Sequence, residues 1–399
     1  MLLTSLVAFG QFEEPQLTGS EFEKLNVKIG ADFAIQFQGL NHHADSALIP
    51  LGKGFNLPTA NLNIEAHLAP GIRVNVTTYL SARHHNEAWV KGGYLLIDEM
   101  PFFKSEGIDK IMDYLTLKVG DMEIDYGDAH YRRTDNGKAV TNPFVGNYIV
   151  DAFTTQMALE LFFRTKGIIL MGAVSNGSLK PALTGYSAGT GTYTDYNTVE
   201  ELAFYWKAGY DKQFTDNLRL RLTLSGYHQP KHHFGSLYNG DRAGSRYYLV
   251  MNRITNSAND VDITKNHTSG NWSPGLTDKD NSFMFNLFLK AYGFETFGTF
   301  ESFKGTLLSG TAADFQQFGI EGLYRFGSRE QIYGGLRYNH VKNYLDQTIS
   351  RIQIGAGWYI IEPVVVKLEY VKQTYKEFLT SYGEDAGFDG LMFEAAVSF

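Results

Sequence analysis

Alternating runs of apolar and polar residues recur from Val27 to Phe399. In the clearest run, Leu218 to Ser225, every second residue is a leucine and the residues between are arginine, threonine or serine. A period of two predicts a β-strand whose two faces meet different surroundings. These runs are about ten residues long, the length that a tilted strand needs to cross a bilayer, whereas strands of soluble sheets usually have about five or six. The pattern therefore predicts a transmembrane β-barrel.

The connections between the runs alternate between short turns and long polar loops. The long connections are 39–60, 127–150, 176–200, 229–280, 305–313 and 374–388. Outer-membrane barrels of bacteria have an even number of antiparallel strands, short periplasmic turns and long extracellular loops. Sixteen runs fit this alternation, so we predict a sixteen-stranded antiparallel barrel as a single domain over 11–399. Residues 246–251 are assigned to the long extracellular loop 229–280, and a short helix is expected within 100–113.

Both ends of the chain carry signals of export. Residues 1–10 are apolar, too short to span a bilayer, and end in the small-x-small pattern of a signal-peptidase site at Ala8-Phe9-Gly10. We interpret 1–10 as a signal-peptide remnant, the alternative being an ordinary apolar N-terminus. The last strand alternates up to a terminal aromatic carboxylate, as in bacterial outer-membrane barrels, through Leu391, Phe393, Ala395, Val397 and Phe399.

The composition excludes several other classes of protein. With no cysteine, the chain has no disulfide framework, thiolate zinc site or cysteine nucleophile. Its 43% hydrophobic and 20% charged residues exclude a disordered chain. A net charge of −8 argues against a nucleic-acid partner. The partners expected instead are outer-membrane lipid and small solutes.

The segment 118–137, KVGDMEIDYGDAHYRRTDNG, followed by NPFVGNYIVDAF at 142–153, resembles the third-loop region of porins from the Bacteroidetes. More distantly it resembles the phosphate-selective porin O/P type. The resemblance implies that 127–150 folds into the barrel as a constriction loop and that three barrels associate as a homotrimer. The sequence departs from the phosphate-selective type, because the dense row of lysines that lines those pores is not evident. This puts phosphate selectivity in doubt.

Charged residues suggest where solutes would pass. In the constriction loop we single out Arg132, Arg133 and Lys138. Basic side chains on the inward face of the predicted strands are expected to line the pore; the six that we single out are Arg73, Lys118, Arg219, Arg221, Arg337 and Arg351. Rings of basic side chains favour anions, so we expect passive diffusion of small hydrophilic solutes with a weak preference for anions. The alternative is a mixed, weakly selective lumen.

Other functions have weaker support in the sequence. Residues 185–189 match the nucleophile elbow G-x-S-x-G, but their flanks are a polar loop instead of the strand and helix that the motif needs. We therefore expect no enzyme and no catalytic residues, and we keep an outer-membrane hydrolase as the least favoured alternative. Paired histidines in the predicted loops are interpreted as solvated, with no metal and no cofactor. A structural or secretion-accessory barrel is the other alternative, and its lumen would be plugged.

Overall fold

In the computed structural model, the described residues are 12–17, 22–56, 59–81, 87–135, 138–178, 186–187, 192–193, 201–232, 237–238, 246–254, 268–307 and 309–399. The predicted signal remnant at 1–10 lies outside them. So do four of the loop histidines, His84, His85, His233 and His267.

Nineteen β-strands lie within the described residues. They are β1 (Asn26–His43), β2 (Gly54–Phe55), β3 (Thr59–Ala69), β4 (Ile72–Ser81), β5 (Glu87–Ile97), β6 (Leu115–Glu123), β7 (Thr155–Thr165), β8 (Ile168–Ser175), β9 (Tyr186–Ser187), β10 (Thr192–Tyr193), β11 (Ala203–Thr215), β12 (Leu218–Gln229), β13 (Leu276–Ala291), β14 (Phe294–Leu307), β15 (Ala312–Phe326), β16 (Ile332–Asn343), β17 (Thr348–Ile361), β18 (Val364–Lys376) and β19 (Ala386–Ser398).

Sixteen of these strands, β1, β3–β8 and β11–β19, form one closed antiparallel barrel in the described part of the chain. Neighbours along the chain pair with each other, β8 pairs with β11, and β1 pairs with both β3 and β19 to close the sheet. The short β2 adds to β1, and β9 and β10 form a separate two-stranded sheet. Closure leaves no sheet edge with unpaired backbone groups facing lipid. The predicted fold and strand number are confirmed.

The C-terminal residue takes part in the closure. The backbone N–H of Ala31 donates to the carbonyl oxygen of Phe399 over 2.9 Å, and the N–H of Phe399 donates back to Ala31 over 3.1 Å. This exchange extends the pairing of β1 with β19 to the end of the chain. The ring of Phe399 is exposed on the outer surface.

The two faces of the wall have opposite character, because side chains alternate along each strand. On β17, Ile352 and Ile354 face outward and are exposed, whereas Arg351 and Gln353 face inward and are fully buried. Exposed apolar and buried charged side chains invert the arrangement of a soluble protein. An outer apolar band of this kind is what a barrel presents to lipid.

Helix is scarce in the described part of the chain. The short helix expected within 100–113 is present as α1 (Glu106–Met112), in the connection between β5 and β6. No helix among the described residues is long and apolar enough to cross a membrane. Residues 246–251 do not form a strand; they form an irregular stretch in the long loop between β12 and β13.

Candidate functional site

The connection between β6 and β7, residues 124–154, is called the inner loop, and its described residues, 124–135 and 138–154, lie inside the barrel. Its backbone N–H groups donate to inward-facing side chains of the wall instead of to a neighbouring strand. Val145 donates to Glu369 over 2.7 Å, and Ile149 donates to Asn339 over 2.7 Å. Buried N–H groups need an acceptor, so these wall side chains hold the loop within the lumen.

Wall glycines make room for the aromatic side chains of the inner loop. A Cβ atom at Gly319 on β15 would lie 2.5 Å from the ring of Tyr148, and one at Gly355 on β17 would lie 3.1 Å from the ring of Phe144. The hydroxyl of Tyr333 also donates to the carbonyl oxygen of Pro143 over 2.9 Å. Pro143 and Phe144 thus hold the loop against the wall.

The three residues singled out for the constriction all pair with carboxylates. Arg132 lies 2.7 Å from Glu321 and 2.8 Å from Glu295. Arg133 lies 2.8 Å from Asp151 within the inner loop itself.

Lys138 lies 2.5 Å from Glu123 at the end of β6. Unlike the two arginines, which are buried, it keeps part of its side chain accessible. The structure therefore does not bring the three cations together; each of them is bound to its own acidic partner. Their role in a constriction stays a prediction.

The six residues predicted to line the pore all face inward and fall into two groups. Those near the periplasmic turns pair with acids: Arg73 with Asp98 at 2.9 Å, Lys118 with Glu160 at 3.9 Å, and Arg219 with Asp211 at 2.6 Å. Periplasmic ends are identified by the short turns.

The other three, Arg221, Arg337 and Arg351, lie deeper and are fully buried beneath the loops. Arg337 pairs with Glu321 at 2.6 Å and donates to the carbonyl oxygen of Gly146 over 2.8 Å. Arg351 differs, because it donates hydrogen bonds to neutral oxygens, among them the side-chain oxygen of Gln373 over 2.6 Å and the carbonyl oxygen of Gly270 over 3.0 Å.

A buried charge network fixes the start of the inner loop. Arg221 holds Asp128 through two hydrogen bonds of 2.8 and 2.9 Å, and Lys207 contacts both Asp125 and Asp128. Burial raises the pKa of each aspartate, but the adjacent cations outweigh burial and hold the pKa of both carboxyls below its ordinary value. Both aspartates are therefore ionised at neutral pH and anchor the loop.

On the opposite side of the lumen, Asp135 joins the inner loop to β3 and β5, in addition to the contact of Lys138 with Glu123 of β6. The carboxylate of Asp135 lies 2.6 Å from the Nζ of Lys91 on β5, and its carbonyl oxygen accepts hydrogen bonds from Lys91 over 2.9 Å and from Asn61 on β3 over 3.3 Å. We call these contacts of Asp135 the seam. Asp135, Lys91 and Asn61 are buried, so the seam is shielded from solvent.

Below the seam, toward the periplasm, a group of polar side chains stays partly accessible. We call this space the vestibule; its wall is formed by Asn63, Glu65, His67, Asn75, Thr77 and Lys118, and its roof by Glu123 and Lys138. The side chain of Glu65 is 31% exposed and that of Lys118 is 14% exposed. Across the lumen, Arg221 and Arg351 are 0% exposed. The accessible space therefore lies against β3–β6, and the loops pack against β12–β19.

Described residues of the long loop between β12 and β13 reach into the barrel next to the inner loop. The hydroxyl of Tyr247 donates to Glu369 over 2.7 Å, and Arg246 lies 3.3 Å from Glu394. The N–H of Trp272 donates to the carbonyl oxygen of Ile149 over 2.8 Å. Described residues of two loops thus contact each other and the inner face of the wall.

Two inward-facing acids were missed by the sequence reasoning. Glu295 and Glu301 on β14 are buried in the lumen, where Glu295 binds Arg132 and Glu301 accepts hydrogen bonds from Tyr126 and Tyr238. β14 carries phenylalanine on both faces, so its alternation does not show which face is apolar. The long separation of these acids from the inner loop in sequence also hides the pairing.

The weaker motifs do not assemble into a site within the described residues. Ser187 of the G-x-S-x-G match lies on β9 and pairs with Thr192 of β10, so the described part of the motif belongs to a two-stranded sheet separate from the barrel. His42 accepts a hydrogen bond from the backbone N–H of Met251, and His43 lies near Asp385. No cluster of histidine and acidic residues in the described part of the chain could hold a metal ion.

Comparisons with known proteins identify the fold. No family model matches the chain, and no curated protein matches it. Among solved structures, an anion-selective porin from Comamonas acidovorans superposes with a TM-score of 0.55 at 9% identity, covering 94% of this chain and 100% of that one. The outer-membrane channel DcaP of Acinetobacter baumannii gives 0.52 at 10% identity, covering 96% and 100%.

A further similar structure is the in-vitro folded outer-membrane protein OmpT of Vibrio cholerae in its trimer form. It superposes with a TM-score of 0.50 at 8% identity, covering 94% of this chain and 100% of that one. At these identities the likeness concerns the fold. The closed barrel with its outer apolar band is an outer-membrane fold, and it places the chain in a bacterial outer membrane.

Proposed function

We propose that this chain is an outer-membrane porin that passes small hydrophilic solutes by passive diffusion through a narrow path against β3–β6. The observation that carries the proposal is the position of the inner loop: it is tightly bound to β12–β18, but it meets the opposite wall at the seam of Asp135 with Lys91 and Asn61. A polar vestibule leads to this seam from the periplasm. Only a few contacts would have to break for the seam to open.

The charges along this path support weak ion selectivity. The partly accessible side chains include the cations Lys118 and Lys138 and the acids Glu65 and Glu123. Positive and negative side chains are therefore equally represented along this path, whereas a strong preference for anions or cations needs a ring of side chains of a single charge. The arginines on which the expected anion preference rested are paired with carboxylates or buried beneath the loops. A weak preference for anions remains a prediction, and we propose a mixed lumen as the better account.

We further propose kinship with the porins of the Bacteroidetes, on the resemblance of 118–137 and 142–153. A phosphate-selective pore is less well supported, because the inward-facing lysines of the described wall each contact a carboxylate. These pairs are Lys28–Glu65, Lys91–Asp135, Lys118–Glu160, Lys207–Asp125, Lys290–Glu330 and Lys367–Glu394. Small neutral and charged solutes are therefore proposed in preference to phosphate alone.

A homotrimer is proposed as the assembly, as the resemblance to porins implies and as the trimer form of the Vibrio cholerae protein illustrates for the same fold. Chemical cross-linking in mild detergent, followed by denaturing electrophoresis, tests it. A ladder that ends at three chains supports the trimer, and a single-chain band at all cross-linker concentrations contradicts it.

Swelling of proteoliposomes in sugars of increasing size tests the proposed function. A narrow path predicts swelling with the smallest solutes, such as glycerol and arabinose, and a steep decline toward disaccharides. Protein-free liposomes give the baseline. Equal rates for monosaccharides and larger oligosaccharides would contradict a path limited by the seam.

A plugged structural or secretion-accessory barrel is the second candidate. It is favoured by the arginines of the lumen, since Arg337 and Arg351 bind inner-loop backbone and are shielded from solvent. Absence of swelling with every solute, down to glycerol, would favour this candidate over a porin.

A further inference from the structure

Residues 12–17, which precede the first strand, enter the barrel from its periplasmic mouth. We call this segment, Phe-Glu-Glu-Pro-Gln-Leu, the strap. It belongs to no strand in the described part of the chain. Side chains of the barrel hold it from both sides of the mouth: β4–β6 on one side, β11–β13 on the other. The strap therefore contacts both sides of the periplasmic mouth.

Glu13 is bound by a two-pronged contact. The guanidinium of Arg221 donates from Nη1 to Oε2 over 2.7 Å and from Nη2 to Oε1 over 2.5 Å. The ammonium of Lys207 lies 3.6 Å from the same carboxylate. Paired, charge-assisted hydrogen bonds of this geometry are among the strongest and most selective contacts that a carboxylate makes.

Phe12 fills a ring-lined pocket next to this contact and is buried. Its ring packs edge-on against Phe288, with centroids 5.3 Å apart, and against Tyr131 of the inner loop at 5.8 Å. The guanidinium of Arg221 lies 4.3 Å from the centre of the same ring. Aromatic packing and a cation over the ring face both favour an aromatic side chain here.

The rest of the strap is recognised residue by residue. Glu14 accepts a hydrogen bond from the hydroxyl of Tyr94 over 2.5 Å and lies 3.9 Å from Lys118. The carbonyl oxygen of Pro15 accepts from Arg73 over 2.9 Å. The side-chain amide of Gln16 donates to the carbonyl oxygen of Met112 over 2.6 Å.

The last strap residue is bound through its backbone. The N–H of Leu17 donates to the carboxylate of Asp98 over 3.1 Å, and Asp98 also binds Arg73. Five of the six strap residues are thus held by side chains of the barrel, and Gln16 is held by the backbone of α1.

We propose that the periplasmic mouth is a groove for an acidic peptide with a leading aromatic residue, and that the strap occupies this groove in cis. The bidentate contact of Glu13 with Arg221 would select an acidic residue, and the ring-lined pocket around Phe12 would select an aromatic one. With the strap removed, the groove binds a separate peptide of the same chemistry. This inference goes beyond passive diffusion and does not require the barrel to conduct.

The test replaces residues 12–17 of the full chain with a Gly-Ser linker of equal length. A fluorescein-labelled, acetylated peptide of sequence FEEPQL is then titrated against the purified barrel in detergent, with fluorescence anisotropy as the readout. We expect saturable binding to this variant and binding at least about tenfold weaker to the unmodified chain, whose groove is filled. A peptide with both glutamates changed to glutamine should bind about tenfold more weakly or worse, since it lacks the charge-assisted bonds.

Absence of binding to the linker variant, or equal binding of the glutamate and glutamine peptides, would contradict the proposed peptide groove.

Should the linker variant fail to fold, the full chain with Glu13→Gln and Glu14→Gln provides a second test. Chymotrypsin should cleave after Phe12 faster in this double variant, measured by mass spectrometry, and an unchanged rate would overturn the proposal. Asp216→Asn, an exposed acid in the turn between β11 and β12, is the matched control and should leave the rate unchanged.

The result separates this inference from the proposed function. Peptide binding by a barrel that conducts no ions supports the groove and contradicts the porin. Ion conduction without peptide binding supports the porin function and contradicts the proposed peptide groove.

Discussion

The Nζ of Lys91 lies 2.6 Å from Oδ2 of Asp135, and this ion pair joins the inner loop to the wall above the vestibule. Both side chains are buried, and Lys91 lies on β5, whereas other parts of the inner loop are bound to β16 and β18. The pair therefore ties the inner loop to the side of the barrel that carries the vestibule.

Removing one partner of this pair should loosen the seam. Lys91→Met leaves the carboxylate of Asp135 buried without its cation, which costs about 3–5 kcal/mol, whereas changing both partners costs less. We expect a higher ion conductance in Lys91→Met than in the unmodified chain. The double variant Lys91→Met with Asp135→Asn should show an increase smaller than the sum of the increases in the two single variants. Lys342→Met, which removes an exposed ion pair with Asp346, is the control. Conductance that does not differ between Lys91→Met and this control would show that the seam does not limit passage.

Arg132 and Arg133 balance three buried acids, so their loss should change ion selectivity. Arg132→Ala with Arg133→Ala leaves Glu295, Glu321 and Asp151 with less cationic charge nearby. Reversal potentials in a salt gradient should then shift toward cations, more so in dilute KCl, because salt screens charges within about 8 Å at physiological ionic strength. Arg329→Ala, an exposed arginine in the turn between β15 and β16, should cause no shift. An equal shift of the reversal potential in this control would contradict a role of the inner-loop arginines in ion selectivity.

Gly319 is required because the ring of Tyr148 lies where a side chain would begin. Gly319→Val should displace the inner loop from β15 while the strand still forms, since valine suits a strand. We expect larger or fluctuating conductance. Gly322→Val on the same strand faces lipid, and a Cβ there would meet nothing within 4 Å. If the two variants conduct alike, the loop is not held by this contact.

The anchoring of the inner loop should resist mild acid. Asp125 and Asp128 have pKa values below the ordinary 3.8, because the cations Lys207 and Arg221 outweigh burial. A carboxyl with a lowered folded pKa stabilises the structure above its unfolded pKa and loses this effect as the pH falls below it. Conductance should therefore stay constant from about pH 8 to about pH 5 and rise only below about pH 4.

The Asp128→Asn variant removes this anchor at every pH. It should show the raised conductance already at neutral pH, with a flatter response to acid. A steep change in the unmodified protein between pH 7 and pH 5 would point to a different titrating group and contradict the role of these aspartates.

The barrel could be predicted because strand crossing imposes a regular pattern. Each strand needs an apolar outer row and a polar inner row, so residues such as Arg351 and Ile352 reveal their faces by alternation alone. β14 shows where this reasoning fails. Phe297 and Phe303 are buried inside the lumen, while Phe294 and Phe300 face outward, and the row that carries Glu295 and Glu301 could not be recognised.

The pairings inside the lumen could not be predicted for a different reason. Arg132 meets Glu321 across a separation of 189 residues, and no local pattern encodes such a contact. The strap was missed because Phe12 to Leu17 resembles an ordinary polar terminus. Its contacts with Arg221 and Asp98 exist only after the barrel has closed around it.

Single-channel recording in planar bilayers tests the central claim, that the inner loop narrows a conducting barrel. The unmodified chain is compared with a variant in which 127–150 is replaced by a short Gly-Ser linker, since β6 and β7 are neighbours that pair directly with each other. The account predicts small discrete steps for the unmodified chain and clearly larger steps for the variant. Steps of equal size in both, or no steps in either, would contradict it.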